Sequence, residues 1–197
     1  MLLSFLEMKK IFLSISFIVY LIFLFPYSVS MANEEAPFNI VHKTDIYEIR
    51  NYSDRLVVQT TNRSDDNSFR KLFNYISGAN NTSEEIKMTI PVTQTQKDNE
   101  SFMQFYLPSK YTKETIPIPS NSDIEIAKIK EGYFAVIKYS GRSSDKNFLK
   151  YSEILYQKLL EDQILVKGSA IKATYNGPFT LPILRRNEAM FNVDWKN

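Results

Sequence analysis

Glu85-Ile86-Lys87-Met88-Thr89-Ile90-Pro91-Val92-Thr93 is the stretch whose reading decides the fold. Ile86, Met88 and Ile90 alternate with polar neighbours, the period of a strand with one buried face. Pro91 has no backbone donor, so the strand must end, bulge or run along a sheet edge there. A helix-like run precedes it, and a second strand-like run, Phe102 to Leu107, follows. In isolation it reads as an ordinary core strand; in context it returns the chain from a helix to a sheet.

On the N-terminal side, Ile46 to Tyr52 alternates, with Tyr47 and Ile49 on one face and Glu48 and Arg50 on the other. Ser53-Asp54 turns the chain into Leu56 to Thr61, a β-branched second strand. Asn62 to Asn67 is a polar loop, with Asp65 and Asp66 placed for a helix start. Phe69, Leu72, Phe73 and Ile76 follow at helical spacing, and Gly78 stops the helix. After Phe102 to Leu107, the three prolines between Pro108 and Ser122 mark an irregular connector.

The same order then returns. Ile124 to Ile129 and Tyr133 to Tyr139 are strands, Phe148 to Leu160 is a helix, and Ala170 to Tyr175 and Glu188 to Val193 are strands. Glu48-Ile49 recurs as Glu125-Ile126 at an offset of 77, and Phe69 as Phe148 at 79. The spacing predicts an α+β fold of two strand-strand-helix-strand-strand halves about a pseudo-twofold axis, with one helix from each half covering the sheet.

Lys9 and Lys10, the apolar run Ile11 to Phe25 and the small residues Ser30-Met31-Ala32 form the three parts of a secretory signal. The run is shorter than the roughly 20 residues that span a bilayer as a helix. Residues 1–32 are therefore expected to be a signal peptide, with an uncleaved anchor at 11–25 as the alternative, and the exported domain to be 33–197. Met8 is a second candidate start. The localisation expected is periplasmic or secreted, with membrane contact only through an uncleaved N-terminal segment.

Without Lys9, Lys10 and Glu7 the chain keeps 22 basic and 21 acidic residues, too even a balance for a nucleic-acid-binding field. The absence of Cys excludes disulfides, thiolate metal sites, Cys nucleophiles and lipidation at Cys. His42, the one His, cannot build a His-rich zinc site, and no G-x-S-x-G pattern accompanies it. The reading is a non-enzyme.

Tyr47-Glu48-Ile49-Arg50, Phe69-Arg70-Lys71-Leu72, Lys87 to Thr93, Tyr139-Ser140-Gly141 and Arg185-Arg186-Asn187-Glu188 resemble, in order and context, the SOUL haem-binding family. The resemblance covers about Phe38 to Val193. It implies a distorted antiparallel β-barrel of two similar halves flanked by two helices, related to effector-binding domains of bacterial transcription regulators. It also implies non-covalent binding of haem or other porphyrins in an apolar cleft by the first helix, without a conserved catalytic centre. Some members place a His directly after Tyr-Glu-x-Arg; this chain has Asn51 there.

A porphyrin needs a slot of apolar side chains and one or two cations for its propionates. The expected ligand-binding residues are Phe69, Arg70, Lys71, Leu72, Phe73 and Met88, with Arg70 or Lys71 meeting a propionate. The bland alternative makes the apolar residues core and the cations solvated. For iron, Tyr, Met (Met88, Met103) and His42 stand as candidate ligands beside binding by shape alone. Arg185 to Glu188 reads as a salt-bridged turn pinning the last strand, with an anion contact as the alternative. The competing function is an effector-binding or protein-interaction module for another planar hydrophobic ligand; a hydrolase fits least.

Overall fold

The computed structural model describes residues 33–61, 67–98 and 100–196. The expected signal segment and the Asp65-Asp66 helix start lie outside them. The strands are β1 (Glu34–Glu35), β2 (Phe38–Lys43), β3 (Glu48–Tyr52), β4 (Arg55–Thr61), β5 (Thr89–Ile90), β6 (Val92–Lys97), β7 (Glu100–Tyr106), β8 (Glu125–Ile129), β9 (Gly132–Tyr139), β10 (Leu165–Thr174) and β11 (Asn187–Asp194). The described helices are α1 (Ser68–Ile76) and α2 (Asp145–Glu161). Neither is long and apolar enough to cross a membrane.

Nine strands form one antiparallel sheet in the order β2-β3-β9-β11-β10-β6-β7-β4-β8. Without β2 this order is a palindrome under exchange of the two halves: β3 for β8, β4 for β9, β6 for β10 and β7 for β11. The axis passes between β6 and β10, where Thr93 faces Ala173. Each half lends its first strand to the other: β3 pairs with β9, and β8 with β4. The offset of 77 holds to the residue, because Glu48↔Val136 becomes Glu125↔Gln59 and Tyr52↔Gly132 becomes Ile129↔Arg55. β2 and β8 remain at the sheet's ends, so the sheet stays open and the barrel is a distorted one.

A twofold relating antiparallel neighbours stands perpendicular to the sheet, so both helices cover the same face. Under α1, Leu72, Tyr75 and Ile76 pack with Val58, Met103 and Phe105. Under α2, Leu155 and Leu159 pack with Ile49, Ala135 and Phe191. The opposite face carries Tyr52, Phe134, Val136, Tyr175 and Met190, lined by Ala36, Phe38 and Ile90. α2 starts at Ser144, whose hydroxyl accepts from Asn147 N at 3.3 Å, with Asp145 in its first turn and Lys158 in its last to match the dipole. α1 ends where Gly78 turns at φ 107°, a conformation costly for any side chain.

The stretch 85–93 departs from the expected single strand. Ile86 and Met88 pack beneath α1, while Ile90 packs on the opposite face. The chain crosses the sheet at Pro91: β5 pairs in parallel with β1, and β6 then enters the centre of the large sheet. A proline that cannot donate suits that change of partner better than a strand end.

Candidate functional site

The expected apolar stripe of α1 is split by how the helix lies. Ser68, Leu72, Tyr75 and Ile76 form the buried face. Phe69 and Phe73, on the adjoining flank, stay 46% and 48% exposed. Their rings stack at 6.1 Å with planes 12° apart, and Phe69 meets Phe105 edge-on at 5.2 Å. Leu72 is core and holds the helix down. Met88 packs, half-buried, against the same cluster. Arg70 is exposed and donates to the neutral Asn67 Oδ1 at 2.7 Å, whereas Lys71 is paired with Asp123 at 2.8 Å. Of the two cations, Arg70 is therefore the better placed to accept an incoming carboxylate.

Clefts lie elsewhere among the described residues. One of about 360 Å³ runs between α2 and strands β6 and β10, lined by Gln94, Gln96, Phe148, Ser152 and Lys172 among others, with Lys172 bound to Asp145 at 2.8 Å. Another, of about 180 Å³, is lined by Arg55, Leu56, Tyr106 and Tyr111 among others. The Arg55 guanidinium lies 4.0 Å from the Tyr52 ring centroid and 5.1 Å from that of Phe134, and its Nε and Nη2 are buried without a hydrogen-bond partner. None of the six expected site residues lines either cleft.

The face opposite the helices holds an ionic network. Arg50 is fully buried; its Nη1 and Nη2 donate to Glu188 at 2.9 and 3.0 Å, and its Nε and Nη2 to Glu48 Oε2 at 3.1 and 3.0 Å. Tyr175 donates to Glu188 Oε2 at 2.7 Å, and Arg186 Nε to Glu188 Oε1 at 2.9 Å. Arg186 also clasps Glu35 at 2.8 and 2.9 Å, tying β1 to the last strand. Arg186 and Glu188 thus do pin the last strand. Arg185 instead donates to the Thr180 and Pro178 carbonyls. Burial works against the Arg50 cation, but Glu188 outweighs it and raises the guanidinium above its ordinary range. Burial, reinforced by the Glu188 charge, raises the Tyr175 phenol.

Burial would push Glu48 up, yet bonds to Arg50 and Lys138 outweigh it and leave its carboxyl below the ordinary 4.5. A carboxylate held low contributes stability above its unfolded pKa and loses it as pH falls through the folded value. On acidification from about pH 6 to below about pH 4, Glu48→Gln is expected to lose less of its urea midpoint than the unsubstituted protein. An equal loss in both would remove Glu48 from the acid response.

Phe69 and Phe73 leave apolar surface exposed on α1, with the exposed Arg70 next to Phe69 in the chain. The candidate iron donors are placed otherwise. His42 lies in β2, with Tyr47 at 6.2 Å and Trp195 at 5.0 Å, both of the cluster under α2. Met103 is buried beneath α1. The Tyr75 hydroxyl donates to Pro117 O at 2.7 Å, and that of Tyr111 to Glu84. Glu48-x-Arg50 alternation signalled a charged face in the sequence; its partner Glu188, distant in the chain, had no signal beyond lying in a charged run.

A family model described as SOUL heme-binding protein matches residues 33–192. Heme-binding protein 2 of Mus musculus is 29% identical over 178 residues, covering 82% of this chain and 84% of that protein. Among solved structures, the EcmrR C-terminal domain superposes with a TM-score of 0.56 at 14% identity, covering 75% of this chain and 96% of that domain. A hydrolase from Listeria innocua superposes at 0.53 with 10% identity, covering 78% of this chain and 94% of its own. These two likenesses concern the fold alone. The family match spans both described helices and all of the duplicated sheet but the last two residues of β11, and the chain belongs to the SOUL heme-binding family.

Proposed function

We propose that this protein holds haem or a related tetrapyrrole non-covalently against α1, as an exported carrier or buffer without catalysis. The half-exposed, stacked Phe69–Phe73 pair beside Arg70 carries this reading. Large aromatic side chains normally withdraw into the core, and a near-parallel, stacked pair left half in water offers apolar surface to a flat guest. Leu72 anchors the helix, the two rings cover a porphyrin face, and Arg70 receives a propionate as a charge-assisted hydrogen bond. Haem, when bound, supplies the iron and the visible absorption band. Export rests on the basic, apolar and small-residue order of residues 9–32.

Haemin titration followed at the Soret band is the test. Phe69→Ser with Phe73→Ser is expected to weaken binding at least about tenfold, or ~1.4 kcal/mol. Arg70→Gln is expected to weaken haemin by a few-fold while Lys71→Gln leaves it unchanged. Unaltered titration in the double variant would overturn the site. Iron-free protoporphyrin is expected to bind within about tenfold of haemin, because shape supplies the affinity; a much larger gap would require an iron ligand. The cleft beside α2, lined by Phe148 and Leu149 as well as by polar side chains, favours a second reading, an effector-binding or protein-interaction module for another planar hydrophobic ligand. A panel of planar aromatic compounds that outcompetes haemin, with binding sensitive to Lys172→Gln, would establish that reading instead.

A further inference from the structure

Duplication supplies an internal standard for each connection. β6 and β7 are joined by residues 98–99, while their counterparts β10 and β11 are joined by residues 175–186. A hairpin closes with two residues, so the longer connection is surplus to the topology. It carries Phe179, Leu181, Ile183 and Leu184, which are 98%, 64%, 78% and 70% exposed. Loop tips are ordinarily built of small and polar residues.

This tip is braced in its exposed form. Arg185 Nε donates to Thr180 O at 2.8 Å and its Nη2 to Pro178 O at 2.6 Å. Arg186 N donates to Asn176 Oδ1 at 2.7 Å, and Gly141 N to Pro182 O at 2.8 Å. A single 3-10 turn, Pro182–Leu184, closes the loop. The apolar side chains therefore stand exposed on a hydrogen-bonded support. Such a braced apolar tip suits a fluid apolar phase.

The surrounding charge says which phase. Residues 175–186 contain no acid and end in Arg185-Arg186, of which Arg186 is already paired with Glu35 and Glu188. The Gly141 bond brings in the β9–α2 connection and the first turn of α2, where Arg142 and Lys146 are exposed and the acid Asp145 is bound by Lys172. An apolar tip with a basic collar is the chemistry of an interfacial anchor on anionic lipid.

We propose that residues 177–184 form a prong that inserts Phe179 and Ile183 into the interface of an anionic lipid surface, with Arg142 and Lys146 against the headgroups.

The absence of Cys allows a local test in the full chain, blind to any membrane binding by residues 1–32. Ile183→Cys is labelled with an environment-sensitive dye, and Lys130→Cys serves as a control on the β8–β9 turn. Addition of phosphatidylcholine vesicles containing phosphatidylserine is expected to raise emission at 183 several-fold with a blue shift, and to leave position 130 unchanged. Phe179→Ser, or Arg142→Gln with Lys146→Gln, on the labelled background is expected to reduce the response at least threefold. No change at 183 while the protein co-sediments with the vesicles would overturn the proposal. An equal rise with protein concentration in the absence of vesicles would also overturn it, assigning the prong to a second copy of the chain.

Discussion

Glu188→Ala is expected to lower the unfolding free energy by about 3–5 kcal/mol, the range for breaking a buried ionic group. Two donors of Arg50, the Tyr175 hydroxyl and Arg186 Nε lose their acceptor together, and of these Arg50 and Tyr175 are buried. The Arg50 guanidinium keeps only Glu48 and the Tyr52 hydroxyl, and a buried cation short of acceptors costs more than the hydrogen bonds themselves were worth. Because domains of this size are stable by only about 5–15 kcal/mol, the variant should sit near the edge of folding. Urea unfolding by circular dichroism measures it. Glu188→Gln, which keeps the side-chain shape and one acceptor oxygen, is expected to fall between the two. A loss below about 1 kcal/mol in Glu188→Ala would mean that the network is solvated in solution.

Leu155→Ala and Leu72→Ala are each expected to cost about 2–5 kcal/mol, since both side chains are fully buried beneath their helices and their removal leaves a cavity. Exchange of first strands adds a sharper expectation. β3 of the first half completes the second half's sheet, and β8 completes the first half's. Neither half can lose its helix without exposing strands contributed by the other. Both variants should therefore shift one transition, read alike by far-ultraviolet circular dichroism and Trp195 fluorescence. Two separated transitions in either variant would contradict the interlocked sheet.

Much of this was legible along the chain. The offset of 77 between Glu48-Ile49 and Glu125-Ile126 announced the duplication, and the structure keeps that offset in the pairing. The alternation of Glu48 and Arg50 against Tyr47 and Ile49 placed the charged and apolar residues on opposite faces of β3. Strand and helix periods depend only on neighbours within a few residues, so they survive in the bare sequence. The helix at Phe69 was equally clear, yet its stripe was too broad to say which residues are core. That answer came from Ser68 and Tyr75, which turn Leu72 inward and leave Phe69 and Phe73 at the edge.

Local periodicity, turn residues and the internal repeat were enough for the α+β class, the two matched halves and the helix that bears the aromatic pair. The exchange of first strands, the meeting of Arg50 with Glu188 across 138 positions, the passage of the chain through the sheet at Pro91 and the split of the α1 stripe required the packed molecule. Each depends on which distant surface a segment is pressed against, and that choice is made by burial shared over the whole sheet rather than by any run of neighbours.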